Sequence, residues 1–314
     1  MARVVFFGSP DFALPSLNAL IGSPFSPELV VTQPDRPAGR GREVTPTPVR
    51  RLAEEKGIDT LVVGNFRESD AADRILALKP DFFVVVAFGL IFPLSVLKIV
   101  TRASVNLHAS LLPAYRGASP INHAIVNGEL FTGVSTMEMV KTLDAGPVYL
   151  QRVFAIDPLE NAGELSQRLA GQGGALLVET LRGIEEGALH PVQQPEEGVS
   201  FAPRLAKSDG EIPWQRNAIG VHNHIRGMNP WPGSFTHYEG GYLKVHGAVP
   251  WDLVPRGLEP GRIIRADGEG IVVACGAGSI RITRVQIEGK RPLDAGEFLR
   301  GFPLKEGAVL GGAE

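Results

Sequence analysis

The sequence predicts an α/β protein of two parts: a doubly wound, mostly parallel sheet over residues 1–187 and a small β-barrel over residues 205–314. Three observations carry that expectation. Short apolar runs alternate with helical patterns through the first half of the chain, the order of a parallel sheet covered on both faces. One of those runs, DFFVVVA at 81–87, is apolar at successive rather than alternate positions, as a strand buried on both faces must be. Beyond residue 204 the strands are short and separated by hairpin turns at Glu239-Gly240-Gly241, Asp267-Gly268 and Gly276-Ala277-Gly278.

Taken in order, Arg3–Phe7 is a strand ending at Gly8, and a helix follows over about 11–21. Leu29–Thr32 is the second strand. The segment QPDRPAGRGREVTPTP reads as a long loop leading to a helix, with Thr47 as its N-cap and Pro48 at its first position. Leu61–Val63 is a third strand, and Ser69 is placed to cap a helix running to Lys79. Strands at 81–87 and 104–108, a helix near Ile121, strands at 133–139 and 148–156 and a long helix over 162–186 complete this half. Residues 188–204, with three prolines between Gly187 and Pro203 and no periodicity, read as a linker. Then come a helix near 218–226 and five strands: 234–238, 242–249, 261–265, 271–274 and 279–287. The first half is therefore Rossmann-like and the second OB-like. Trp231, between two prolines, is expected to pack in an interdomain or barrel core.

Composition narrows the function classes. Gly and Pro together make 62 of 314 residues, but 44% of the chain is hydrophobic, so a packed core rather than disorder is expected. A net charge of −3 argues against a general binder of nucleic acid or membrane surfaces. The lone Cys275 excludes an intrachain disulfide and a cysteine-cluster zinc site, and its apolar setting marks a small buried hydrophobe. The longest apolar stretch, Phe82 to Leu94, is too short for a bilayer-spanning helix, and the N-terminal run stops at Gly8, so a cytoplasmic protein is expected.

The densest polar constellation is VNLHASLLPAYRGASPIN. Asn106 and His108 are two residues apart at a strand end, so their side chains share a face. An amide and an imidazole there suit the stabilisation of an oxygen gaining negative charge, and the imidazole can move a proton. The same pair can also be polar punctuation closing a strand. Asp144, in the LDAG turn, is placed to orient the imidazole or to serve simply as a turn residue. Arg36, Arg40, Arg42, Arg50 and Arg51 make the stretch 33–51 net +3 in a chain of net −3. Arginines on a Gly/Pro loop suit phosphate contacts, although Arg50 and Arg51 fall on the next helix and read as its surface. GSPDF is not a spaced-glycine nucleotide fingerprint. His222 and His224 lack further metal donors, and His123 follows the polar loop.

The segments FFGSPDFALPSL, VTQPDRPAGRG, VVVAFGLIFP, NLHASLLPAYRGASPIN, LDAG and NPWPGSF resemble, in order, the signatures of the methionyl-tRNA formyltransferase family. Asn–x–His with SLLPxYRGxxPI belongs to the wider formyltetrahydrofolate-using group, and the Arg-rich loop with the barrel narrows it to the tRNA branch. The resemblance implies 10-formyltetrahydrofolate as cosubstrate and initiator methionyl-tRNA as acceptor, with no metal and no membrane partner. It maps the catalytic residues onto Asn106, His108 and Asp144. It places folate at Ser110, Leu111, Leu112 and Pro113, with Phe88, Gly89, Leu90 and Ile91 lining the pterin pocket. Arg36, Arg40 and Arg42 become tRNA contacts on the loop, with the barrel supporting the tRNA. The methionyl amine would attack the formyl carbon, and Asn106 and His108 would hydrogen-bond the oxyanion, each donor contributing about 3–4 kcal/mol. Pro147 departs from the family, which often has an acid there. A monomer is expected, since a bulky tRNA must reach both domains. A small-amine acceptor would have no need of the Arg-rich loop, and a non-catalytic RNA-binding module would have no need of Asn106.

Overall fold

In a computed structural model that describes residues 2–38, 43–67 and 70–311, with backbone alone at 36–38 and 43, the first half of the chain alternates as its apolar runs predict. It begins with β1 (Val4–Gly8), α1 (Leu14–Ile21) and β2 (Leu29–Thr32), then β3 (Arg36–Ala38) and β4 (Glu43–Thr45). There follow α2 (Pro48–Glu55), β5 (Asp59–Val62), α3 (Ala71–Ala77), β6 (Phe82–Val86), α4 (Leu94–Leu97) and β7 (Ala103–His108). Next come α5 (Pro120–Val126), β8 (Phe131–Glu138), β9 (Val148–Ala155) and the long α6 (Ala162–Glu185).

By contact, the chain divides into two units. One takes the chain through Gly117, Gly133–Phe154 and Ser166–Phe201; the other takes Ala118–Thr132, Ala155–Leu165 and everything from Ala202. The first unit holds a seven-stranded sheet in the order β5-β2-β1-β6-β7-β8-β9. β1 pairs in parallel with β2 and β6, β2 with β5, and β6 with β7, whereas β7 and β8 are antiparallel.

Both faces of this sheet are buried, which is why its central strands carry no alternation. Val5, Phe7, Val31, Phe83 and Val85 share one core with Ile75 of α3 and with Phe66, Phe88 and Phe92. The interleaved Val4, Phe6, Val30, Phe82 and Val84 are buried too, as are Leu17 and Leu20 of α1. Gly173 lets α6 lie against β7, since a β-carbon there would meet the end of the Leu107 side chain.

The Thr47 cap is present, its hydroxyl accepting from the Arg50 amide at 3.1 Å, with Pro48 opening α2. The segment predicted as a loop instead contains the antiparallel hairpin β3–β4, paired from Arg36–Thr45 to Ala38–Glu43. One of its prolines, Pro37, lies within β3 opposite Val44. α3 begins at Ala71; Ser69, predicted as its cap, lies outside the described residues.

The second unit is built on α7 (Ala218–Gly227), β10 (Ser234–Tyr238), β11 (Gly241–Asp252), β12 (Ile263–Asp267), β13 (Gly270–Ala274), β14 (Ser279–Ile287), β15 (Leu293–Asp294) and α8 (Ala295–Gly301). Its six strands form an antiparallel sheet in the order β10-β11-β14-β13-β12, with β15 on β14. Five strands were expected; β15 and α8 are additional, and a two-residue strand is too short to show a period. The C-terminal stretch completes the closure. Ile263, the first residue of β12, exchanges hydrogen bonds with Gly307 and Ala308, and the Gly311 amide donates to the His237 carbonyl of β10.

Inside lie Val221 and Ile225 of α7, packed with Leu243, Val245, Ile271, Ile280, Ile282 and Phe298. α5 joins this unit: the Asn122 amide donates to the Gly227 carbonyl at 2.8 Å. Trp231 is not in a core; it is 55% exposed. No helix among the described residues is long and apolar enough to cross a membrane.

Candidate active site

The site is assembled at the C-terminal end of β7, where ligands of open α/β sheets gather. β7 lies between parallel β6 and antiparallel β8, with Asn106 opposite Val85 and Met137, and His108 opposite Ser135. Strand alternation puts Asn106 and His108 on one face, about 6.6 Å apart along the strand. Asn106 is half-buried and His108 buried.

The imidazole sits between two loops. Its Nε2 lies 2.9 Å from the Tyr115 carbonyl oxygen. That oxygen only accepts, so Nε2 carries a proton. On the other side Nδ1 is 3.7 Å from Oδ2 of Asp144, with both side chains largely buried. This separation is too long for a hydrogen bond and short enough for an ion pair once Nδ1 is protonated. The same Oδ2 accepts the Gly117 amide at 2.8 Å. The structure thus brings together the predicted Asn106, His108 and Asp144, and it adds Tyr115, which sequence reasoning passed over because its backbone, not its side chain, makes the contact.

Both flanking loops are held in uncommon backbone. Tyr115 has φ +60° and Asp144 φ +49°, left-handed values that residues with a β-carbon adopt at a cost of about 1–2 kcal/mol each. At Gly146 a β-carbon would collide with the Glu138 carbonyl, so the LDAG turn can lie against β8 only with glycine there. Beneath it, the Glu138 carboxylate accepts the Ser104 amide and the Tyr149 hydroxyl. Burial pushes the Glu138 carboxyl upward despite those two hydrogen bonds, and it pushes the Tyr149 phenol upward as well.

The residues predicted for folate divide by exposure. Ser110 is buried, its hydroxyl donating to the Ala114 carbonyl at 2.6 Å and its carbonyl accepting from Ser135. Leu111 and Pro113 are half-buried and Leu112 is buried, its amide donating to Ser135 and its carbonyl accepting from Gln151. The Phe88 ring lies in the aromatic core with Phe7, Phe66 and Phe92, and its carbonyl accepts from Gln33 at 2.6 Å. Gly89 and Ile91 face solvent and Leu90 is half-buried. A cavity of about 310 Å³ is lined by Leu112, Tyr149, Gln151, Val192, Gln194 and Pro195 among others; of the predicted folate residues it touches only Leu112.

Of the predicted tRNA contacts, Arg36 pairs in β3 through its backbone, while Arg40 and Arg42 lie outside the described residues. Arg50 bridges Asp35 and Glu54, both at 2.7 Å, and those carboxylates hold its guanidinium charge more firmly. It is helix surface, as expected. His123 belongs to the other unit and its Nδ1 donates to the Ser119 carbonyl. In that unit both nitrogens of His222 face carbonyl oxygens, of Ala248 and Pro158, at 2.9 Å. Burial holds His224 at a pKa of about 4 and pushes the Cys275 thiol up to about 12. No group of three or more His, Cys, Asp or Glu among the described residues could hold a metal ion.

Comparison with known proteins matches both halves of the chain to one family. A family model described as formyl transferase matches residues 2–181, and one described as formyl transferase, C-terminal domain, matches residues 204–303. The chain is 44% identical over 309 residues to the methionyl-tRNA formyltransferase of Magnetococcus marinus, covering 98% of each chain. It is 44% identical over 312 residues to that of Pelotomaculum thermopropionicum, covering 99% of each. Its fold is similar to a crystal structure of WlaRD, a sugar 3N-formyl transferase, in the presence of dTDP and 5-N-formyl-THF. That match has a TM-score of 0.67 at 17% identity and covers 93% of this chain and 99% of that one.

Proposed function

Because the chain belongs to the formyl transferase family, we propose that it transfers the formyl group of 10-formyltetrahydrofolate to the α-amino group of initiator methionyl-tRNA. The observation that carries this reading is the full-length match to relatives named for that reaction, over a chain that also gathers Asn106, His108 and Asp144 at one strand end. The bound folate supplies the formyl carbon and the nitrogen that leaves it. The residues fit such a ligand: beyond the strand ends the chain presents Gly89, Leu90 and Ile91, the last 92% exposed, an apolar surface that a flat ring would cover. Leu111, Leu112 and Pro113 offer a second apolar wall, with Ser110 holding the turn behind them.

The roles we assign rest on the shared face of Asn106 and His108 and on the facing of His108 and Asp144. The Asn106 amide and the protonated Nε2 of His108 donate to an oxygen that gains negative charge, in a site with little water to compete. In this role the substrate oxygen takes the place of the Tyr115 carbonyl as the acceptor of the Nε2 proton. Asp144, kept in orientation by the Gly117 amide, faces Nδ1 and stabilises the ring when it takes a second proton. The attacking amine must lose a proton and the leaving nitrogen must gain one, and His108 is the group placed to pass it. Arg36, Arg40 and Arg42 are assigned to the acceptor-stem backbone, on the domain division 1–187, linker 188–204 and 205–314. The protein is read as a cytoplasmic monomer that needs no metal.

Labelled 10-formyltetrahydrofolate and charged initiator tRNA, incubated with the protein, should yield formylmethionyl-tRNA. Folded protein that gives none overturns the proposal. Arg42→Ala and Arg40→Ala should each raise the KM for tRNA by about tenfold while leaving the KM for the folate unchanged, one arginine–phosphate contact being a charge-assisted bond of about 1.5–3 kcal/mol. An equal rise in both constants would show that the loop is not a tRNA contact.

A further inference from the structure

We infer that Gln194 is a positioning residue for the His108–Asp144 pair, an inference that rests on the reading of that pair as catalytic. It lies in the stretch read as a linker, yet it is half-buried among exposed neighbours. The stretch is fastened to the sheet just upstream, where Val192 and Val148 exchange backbone hydrogen bonds at 2.8 Å.

From there one side-chain amide joins the two loops that flank His108. Its Oε1 accepts from Nε and Nη2 of Arg116, at 3.0 and 2.7 Å. Its Nε2 donates to the carbonyls of Asp144 and Gly146, at 2.8 and 2.7 Å. Two donor hydrogens and two acceptor positions are all that a carboxamide has, and all four are used. The carbonyls it holds belong to the left-handed Asp144 and to the glycine that follows two residues later. Arg116 follows Tyr115, whose carbonyl is on His108 Nε2. The same stretch grips that loop again at Ser200, whose hydroxyl accepts the Tyr115 amide and whose carbonyl accepts the Arg116 amide, both at 2.9 Å.

The consequence concerns the 3.7 Å gap between His108 Nδ1 and Asp144. The Gly117 amide orients the Asp144 carboxylate, and Gln194 braces the backbone of the strained turn that carries it. Its chemistry is specific. A carboxylate in its place would still accept from Arg116 but would put negative charge against two carbonyl oxygens, and a thioether would make none of the four bonds.

The test uses the full chain and two variants, Gln194→Glu and Gln194→Met. For both, kcat should fall between about ten- and a hundredfold, the usual effect of a small displacement of reacting groups, with each KM within about twofold of the parent. Titration of the His108 imidazole by NMR should be displaced in both variants. A Gln194→Glu protein with parental kcat would overturn the inference, showing that Gln194 only anchors Arg116. So would an unchanged His108 titration in folded Gln194→Met. If the parent protein forms no formylmethionyl-tRNA, the proposed function fails, while the His108 titration still decides whether Gln194 positions the pair.

Discussion

The two units place buried basic side chains in opposite circumstances. In the parallel-sheet unit, His108 has one nitrogen on a backbone carbonyl and the other facing a carboxylate beyond hydrogen-bond reach. In the antiparallel unit, His222 meets carbonyls at both nitrogens. There too Arg226 donates from Nε to Asn223 and from Nη1 to the carbonyls of Asp157 and Glu160. Burial is common to all three residues. What separates a working group from a fastening is whether its partners can change during a reaction. His222 has a carbonyl acceptor on each nitrogen, whereas His108 faces a carboxylate side chain across a short gap and can gain or give up a proton there.

The contrast is broken most sharply at Asn106. Asn106→Ala should lower turnover by about a hundredfold or more, roughly 3 kcal/mol, as loss of an oxyanion donor does. Its thermal midpoint should stay within a few degrees of the parent. A loss of stability matching the loss of rate would put Asn106 on the fastening side. Arg226→Met should do the reverse: the Asn223 amide oxygen and two part-buried carbonyls lose their donor, at a cost of about 1–3 kcal/mol of stability, read from the urea midpoint. The protein that remains folded should keep its specific activity.

A smaller effect comes from His224, whose ring is held at a pKa of about 4 chiefly by burial. The unfolded chain binds a proton near pH 6.5 that the folded chain refuses until about pH 4. Stability from this residue is therefore complete above pH 6.5 and declines as the pH falls toward 4, by about 3 kcal/mol in all. In His224→Gln the fall in thermal midpoint between pH 7.5 and pH 4.5 should be visibly shallower. An equal slope would mean that another group sets the acid limit.

Much of this was legible in the residues because it is local. DFFVVVA shows its double burial in its own letters, Thr47-Pro48 shows its cap, and Asn–x–His shows a shared face. The Asp144 turn was legible as chemistry, but its reach to His108 was not, since 36 positions separate them. Gln194 left no mark at all: its partners are 48 to 78 residues away, and hydrogen bonds at such range impose no period on the chain. Trp231 misled because a large apolar ring suggests a core, while the fold leaves it more than half exposed. The hairpin at 36–45 was hidden by the same glycines and prolines that suggested a loop.

The way the second unit borrows from the first half of the sequence limits how the molecule can be cut. Pro158, Asp157 and Glu160, which hold His222 and Arg226, and Asn122 of α5, all precede the junction near residue 202. A fragment starting there would carry a buried arginine and a buried histidine with their anchoring carbonyls removed. On the ribosome, the segments 118–132 and 155–165 emerge well before the barrel that receives them. They must wait for it, so the second unit can reach its native packing only after most of the chain has been made.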